Sequence, residues 1–254
     1  MDSKVILERL KSIETEHKVK ILYAVESGSR AWGVASQDSD FDVRFIYVHE
    51  KDWYLAIEPR KDVIEVPIDG LLDINGWDLT KALSLFRKTN PPLYEWLQSP
   101  IVYIQPHDVI LELKRLLPDF FSSKACIFHY LSMADNNRKD YIDKPNIAPK
   151  KYFYVLRPVF ACEWIKAFGT MPPTEFNRLF EKQNLTPSFR QVIEELLDNK
   201  IKGKEQDLRS RIKVLDDYLD ERLSYFATYA QKIDKTEDLP YEPLNLLFRK
   251  VLQR

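Results

Sequence analysis

The stretch YAVESGSRAWGVASQDSDFDVRFIYV, residues 23–48, decides how this chain folds and which chemistry it can support. It places a Gly-Ser pair ahead of an Asp-Phe-Asp triplet between two apolar runs. In a strand, Asp40 and Asp42 project to the same face, while the phenylalanine between them turns to the other. Two carboxylates this close repel each other unless a cation lies between them, and hard oxygen ligands suit Mg²⁺ or Mn²⁺. The triplet therefore predicts a divalent metal site.

The Gly-Ser pair suits a phosphate site beside this metal site. Gly28 and Ser29 follow an apolar strand that ends near Val25, and they open a short turn or helix. Glycine lets the backbone approach a ligand, and free N–H groups at such a turn can meet phosphate oxygens. Arg30 is a candidate for contact with the same phosphates, with solvent exposure or pairing to Glu26 as the alternative.

The composition is that of an ordinary globular protein. The 254 residues are 44% hydrophobic and 30% charged, with a net charge of -1. No apolar segment approaches the length of a transmembrane helix, and the N-terminus lacks the apolar core of a signal peptide, so we expect no membrane span and a cytoplasmic location. Cys126 and Cys162 show no CxxC spacing, which predicts buried thiols and argues against a zinc cluster or a disulfide framework.

The hydrophobic pattern changes near residue 105 and predicts two domains. The first part begins with a helical stripe over residues 3–16 and ends with a helix for which Asn75 is a plausible N-cap. From residue 93 onward, strand signals nearly vanish and helical stripes alternate with prolines. Strands are predicted at residues 19–25, 41–48, 63–68 and 71–74.

The spacing of these motifs resembles a known enzyme signature. A Gly-Ser turn followed about ten residues later by Asp-x-Asp in an apolar strand is the mark of the DNA polymerase beta-type nucleotidyltransferase superfamily. The strings ESGSRAWG, SDFDVRFIYV, DINGWDLTKAL and NPPLYEWLQSPIVY look like RlaP-type nucleotidyltransferases, a branch linked with RNA repair. The resemblance implies an α+β fold, with a small mixed-sheet nucleotidyltransferase domain at residues 1–105 followed by an all-helical domain at residues 106–254.

The resemblance also implies a reaction. A nucleoside monophosphate would move from an NTP such as ATP to an acceptor hydroxyl, with an RNA end as one candidate acceptor, and pyrophosphate would leave. Two Mg²⁺ or Mn²⁺ ions would assist, held by Asp40, Asp42 and a third carboxylate on a neighbouring strand. Glycine and serine of the turn would cradle the terminal phosphates.

The third carboxylate has to be chosen among several acidic residues. We select Asp73 because apolar residues flank it and a predicted helix follows at once. Asp69 precedes Gly70, as a turn residue would, and Asp78 fits the first turn of the helix as a partner of its dipole. Glu65 is the remaining alternative.

The second half offers basic residues for phosphate contact. The segment RKDYIDKPNIAPKKYFYVLRP mixes cations with tyrosines, as phosphate attraction plus base stacking would use, although a solvated helix start with buried rings explains it equally well. Lys150, Lys151 and Arg157 are the candidates for reaching the triphosphate. A second basic run, from Lys200 to Lys213 and including Lys204, is a surface that could touch an RNA acceptor.

Two alternatives to this enzyme remain open from the sequence. The same fold could grip a nucleotide or an RNA end without transferring anything, or it could transfer the nucleotide to a protein side chain or a small molecule. Neither a Gly-x-x-x-x-Gly-Lys-Ser/Thr loop nor an HExxH motif occurs, which disfavours a Walker-type ATPase and a zinc hydrolase.

Overall fold

The computed structural model describes residues 2–203, 208–234 and 239–253. In chain order its elements are α1 (Ser3–His17), β1 (Val19–Glu26), α2 (Gly28–Ala31), β2 (Phe41–His49), α3 (Lys51–Tyr54), β3 (Val63–Glu65), β4 (Leu72–Asp78), α4 (Leu79–Arg87), α5 (Pro91–Leu97), β5 (Val102–Ile104), α6 (Asp108–Phe120), α7 (Ser123–Lys139), β6 (Asn146–Ile147), α8 (Lys150–Phe168), α9 (Phe176–Glu181), α10 (Pro187–Ile201), β7 (Arg209–Ser210), α11 (Lys213–Lys232) and α12 (Glu242–Leu252).

These elements form two compact units. The sheet unit comprises residues 2–31, Asp40–Phe120 and 239–253. The helical unit comprises Trp32–Ser39 and residues 121–234 apart from 204–207. The part of the basic run around Lys204 lies outside the described residues.

The sheet unit is built on one mixed five-stranded sheet in the order β3-β4-β2-β1-β5. β2 and β4 are parallel, and the other neighbouring strands are antiparallel. The α+β fold with a small mixed sheet is therefore confirmed. The parallel register of β2 and β4 places Asp42 directly opposite Asp73.

Alternation along β2 explains how this sheet carries polar groups on one face and a core on the other. Val43, Phe45 and Tyr47 are fully buried and join a cluster with Ile6 and Leu10 of α1. The residues between them at the start of the strand are only half-buried and turn to the opposite face. On that opposite face α4 packs against β2 and β4.

The boundary between β4 and α4 differs from the sequence prediction. Asn75 is not an N-cap, because the strand continues to Asp78 and only then does the helix begin. Asp78 caps the helix, and its side chain accepts a hydrogen bond from the Thr80 backbone N–H at 2.8 Å. The strand tolerates Gly76 because the Phe45 ring of β2 fills the space where a Cβ would stand.

The division of the chain also differs from the predicted boundary at residues 105 and 106. α6 belongs to the sheet unit, where α12 packs against it and against α4. Arg87 in α4 donates to the Leu239 carbonyl at 2.7 Å, which ties the chain end to this unit. Residues Trp32–Ser39 instead belong to the helical unit, where the Phe176 N–H donates to the Trp32 carbonyl at 2.9 Å.

The helical unit packs α7, α8 and α11 together, and Arg138 joins α7 to α11 through ion pairs. Arg138 is 3% exposed, pairs with Asp216 at 3.1 Å and donates to Asp220 at 2.8 and 2.9 Å. The prediction of an all-helical second part needs one amendment, because the two-residue strands β6 and β7 pair there. Cys126 and Cys162 are buried thiols, as predicted. No helix in the described ranges is both long and apolar enough to cross a membrane.

Candidate functional site

The carboxylates of Asp42 and Asp73 face each other at the starts of β2 and β4. The side chains are 29% and 33% exposed, so solvent reaches both. Burial raises the pKa of Asp42, Arg44 opposes that shift, and the nearby charges of Asp73 and Asp40 raise the pKa further. The structure thus places two of the three predicted acids, Asp42 and Asp73, opposite each other, with the charge of Asp40 acting on Asp42.

Arg44 lies between the two facing carboxylates. Its Nη2 donates to Asp42 Oδ1 at 3.0 Å and to Asp73 Oδ2 at 2.7 Å. Its Nη1 donates to the carbonyls of Val43 and Asp73, both at 3.1 Å. Two residues separate Arg44 from Asp42, so both side chains project from the same face of β2. A single guanidinium therefore neutralises the repulsion between the two acids.

The donor set suits a divalent cation. Carboxylate oxygens are the ligands that Mg²⁺ and Mn²⁺ prefer. As the side chains stand, no group of three His, Cys, Asp or Glu residues within 2–203, 208–234 and 239–253 is arranged to hold a metal ion. In this arrangement the Arg44 guanidinium pairs with both Asp42 and Asp73. The two carboxylates are of the chemical type that binds a divalent cation.

Gly28 lies against the Asp42 carboxylate. A Cβ at this position would stand 2.0 Å from Asp42 Oδ2, and the backbone φ of +58° is itself unfavourable for other residues. The neighbouring Ser27 N–H donates to the Asp42 carbonyl at 2.8 Å, which fixes the turn to β2. Ser29 follows within the short helix α2. Gly28 of the Gly-Ser turn is thus packed directly on the Asp42 carboxylate.

Arg30 reaches the start of β2 and lies beside the triad. Its Nε donates to the Asp40 carbonyl at 3.0 Å, and its guanidinium stacks 3.6 Å from the Phe41 ring centroid. Its charge also lowers the pKa of Asp42. A second cation therefore stands close to the carboxylates.

Sequence reasoning missed the role of Glu26, which it considered only as a partner for Arg30. The Glu26 side chain is fully buried, accepts the Asp42 N–H at 2.7 Å and accepts a short hydrogen bond from the Tyr103 hydroxyl. Burial raises its pKa, while these two hydrogen bonds lower it. A carboxylate at the end of a buried strand, just before the Gly-Ser turn, was the available signal. Glu26 positions the backbone of Asp42.

The three candidates in the second half all lie on α8 of the helical unit. Lys150 and Lys151 are half-buried at its start, and Lys151 pairs with Asp140 at 3.4 Å. Arg157 is 2% exposed, stacks 4.4 Å from the Trp32 ring centroid and donates to the Thr174 carbonyl at 3.3 Å. These contacts give Arg157 a packing role within its unit. Contact of the three with a nucleotide stays a prediction.

Comparison with known proteins identifies the family. The sequence model of RlaP, described as an RNA repair pathway DNA polymerase beta family, matches residues 3–250. The chain belongs to this family. Membership confirms the resemblance predicted from the Gly-Ser and Asp-Phe-Asp motifs, and it assigns the chain to the nucleotidyltransferase enzymes.

RlaP relatives and similar structures add two findings. The chain is 46% identical over 247 residues to an uncharacterized protein, YcgL, of Bacillus subtilis (strain 168), covering 97% of this chain and 95% of that protein. It is also similar to the crystal structure of a nucleotidyltransferase-like protein from Exiguobacterium sibiricum 255-15 at 16% identity. That match covers 89% of this chain and 74% of the other, with a TM-score of 0.31, which is too low for a comparison of the two sites.

Proposed function

We propose that this RlaP-family enzyme transfers a nucleoside monophosphate from an NTP to an acceptor hydroxyl on an RNA end, with release of pyrophosphate. The observation that carries this proposal is the facing pair Asp42 and Asp73, with Gly28 packed on the Asp42 carboxylate. Two carboxylates next to a glycine, which has no side chain, can bind cations and leave room for phosphates beside them.

The residues of the site divide into three roles. Asp40, Asp42 and Asp73 would hold Mg²⁺ or Mn²⁺, whose charge would stabilise the developing negative charge on the transferred phosphate. Gly28 and Ser29 leave room for the terminal phosphates of the NTP next to these acids. Two other residues position the backbone of the site. Glu26 accepts a hydrogen bond from the Asp42 N–H, and Arg30 donates one to the Asp40 carbonyl.

Arg44 neutralises the charges of Asp42 and Asp73 while no cation is bound. Its removal should therefore change how much added metal raises the melting temperature. We expect Arg44→Met in EDTA to lose on the order of 1 kcal/mol, because the ion pairs are partly exposed, and thus about 2–4 °C in melting temperature. Added Mn²⁺ should then raise the melting temperature of Arg44→Met by more than that of the wild type, because the competing guanidinium is gone. Thermal unfolding followed by circular dichroism measures both effects.

Two further variants test this explanation of Arg44. Arg44→Lys keeps the charge and should respond to Mn²⁺ more like the wild type. Arg9→Met removes an exposed ion pair with Glu16 and should change neither value appreciably. An Mn²⁺ response of Arg44→Met equal to that of the wild type would show that Arg44 does not compete with the cation.

The proposed reaction is tested by incubating the protein with each labelled NTP and Mg²⁺ or Mn²⁺, with and without single-stranded RNA. We expect label to appear on the RNA and pyrophosphate to be released only when NTP, cation and RNA are all present. Label on the protein itself, or on an added small hydroxyl compound, would change the acceptor class. Binding of NTP without release of pyrophosphate under any condition would replace the enzyme with a binding module.

The strand register makes a separate prediction for Asp73. Asp73→Asn keeps the side-chain shape but removes the charge opposite Asp42, so we expect at least a hundredfold fall in transfer with much of the NTP affinity retained. Asp69→Asn is the matched control, because Asp69 lies in the exposed turn before β4. Transfer rates and calorimetric NTP binding measure the two variants. If Asp69→Asn lost transfer activity while Asp73→Asn kept it, Asp73 would not belong to the active site.

A further inference from the structure

The far end of the sheet from the carboxylates carries two neighbouring cavities that the proposed reaction does not use. One has a volume of about 680 Å³ and is lined by His49, Trp53, Arg60 and Lys61, among others. The second, of about 610 Å³, is lined by residues that include Lys18, Lys20, His49 and Lys51. His49 lines both cavities, and the two together are here called the basic groove.

The basic groove contains an ordered aromatic platform. The rings of His49 and Trp53 stack with centroids 3.9 Å apart and an interplanar angle of 8°. The Tyr54 ring packs edge-on against Trp53 at 4.9 Å, and its hydroxyl donates to the buried carboxylate of Asp78 at 2.7 Å. Arg60 lies over the Trp53 ring, 5.4 Å from its centroid, and pairs with Glu58. The platform is therefore held in place before any ligand arrives.

The lining of the basic groove has a small excess of positive charge, with five Lys or Arg residues against four Asp or Glu residues. Lys18, Lys20, Lys51 and Lys61 are exposed, and none of them forms an ion pair with another residue in the described part of the chain. Two of the acids nearby are already engaged, since Glu14 accepts the Ile21 N–H at 2.8 Å and Asp62 pairs with Lys81 at 3.0 Å. Glu50 and Glu65 also line the cavities and offset part of the charge.

The distance between the basic groove and the carboxylates favours a long anion. Asp42 and His49 are seven residues apart along β2, which at about 3.3 Å per residue is on the order of 23 Å. A nucleotide whose phosphates lie at the carboxylates does not extend that far. A chain of repeated phosphates with unpaired bases does, and it uses both cations and stacking rings.

We propose that the basic groove binds a single-stranded RNA segment of the acceptor, with a base stacked on the His49 and Trp53 platform and phosphates on the surrounding lysines. This inference rests on the proposed function for the identity of the acceptor. Binding at the groove is nevertheless independent of metal and of NTP, because the groove residues are separate from the carboxylates.

The test is fluorescence anisotropy of the full chain with a labelled single-stranded RNA of roughly 12 nucleotides, in EDTA and without NTP. The triple variant Lys18→Gln, Lys20→Gln and Lys61→Gln should weaken binding at least tenfold. The slope of log K against log salt should become shallower by about 2, since each lost phosphate contact removes about 0.7. A triple variant at the exposed positions Lys4, Lys11 and Lys88, all changed to Gln, has the same net charge and should bind nearly as the wild type.

Stacking is tested separately at Trp53. Trp53→Leu should weaken RNA binding by about 5- to 150-fold, the range for loss of one stacked base, and Trp53→Phe should restore much of it. Melting temperatures of both variants show whether the fold survives. A Trp53→Leu protein that is folded and binds RNA as the wild type does would overturn the stacking proposal.

Three further results would overturn the basic groove as an RNA site. The first is an equal loss of RNA affinity in the two triple variants. The second is displacement of the RNA by free ATP at a concentration similar to that of the RNA, and the third is tighter binding of duplex than of single-stranded RNA. The failures are distinguishable. A wild type that transfers nucleotide but shows no RNA anisotropy refutes the groove alone, whereas RNA binding without any transfer refutes the proposed reaction alone.

Discussion

Asp42→Asn is expected to reduce nucleotidyl transfer by on the order of 10³-fold or more while leaving the protein folded. The side chain faces Asp73 across the parallel strands and contacts Arg44, and its amide replacement keeps the shape but loses the charge that holds a cation. Asp40→Asn should have a comparable effect. Because the acids act on the same cations, the double variant should be little worse than either single one. Single-turnover transfer of label from NTP measures these rates.

Metal binding provides a second measurement for the same variants. Mn²⁺ should raise the melting temperature of the wild type, because binding to the native state alone stabilises it, and should not raise that of Asp42→Asn. Asp38→Asn, at an exposed position just before the triplet, is the control and should behave as the wild type. Substantial transfer by Asp42→Asn would exclude the acidic pair as the metal site.

Gly28→Ala is expected to reduce nucleotidyl transfer nearly as much as Asp42→Asn does, although it changes no charged or polar group. Its new Cβ would stand 2.0 Å from Asp42 Oδ2, so the carboxylate has to move away from the turn. Positive φ adds a backbone cost of about 1–2 kcal/mol. We expect transfer to fall by at least a hundredfold, since the displaced acid is part of the site. Transfer rate and melting temperature should be measured together.

Gly70→Ala separates the two causes. Gly70 has the same φ of +58°, but nothing lies within 4 Å of its Cβ position. This variant should lose only the stability that the backbone cost accounts for, and it should keep its transfer activity. If Gly28→Ala retains activity at the level of Gly70→Ala, the close packing of the turn on Asp42 is not required for the reaction.

The sequence by itself determined the elements with a clear periodicity and the local motif. A run of β-branched and aromatic residues predicted β2, and the helical stripe predicted α1, because both signals are local to the segment. Gly28, Asp40 and Asp42 could be selected from the sequence because they lie within one turn and one strand. Family membership, confirmed by the match over residues 3–250, rested on the same local pattern.

Only the tertiary structure decided what depends on neighbours distant in sequence. The parallel pairing of β4 with β2 carried the strand through Asn75 to Asp78, against the local signal for a helix start. It also brought Arg44 between Asp42 and Asp73, which are 31 positions apart in the chain. Burial of Arg157 likewise depends on Trp32 and Thr174. Strand register and side-chain packing are set by the whole fold, so no pattern within a short window could reveal them.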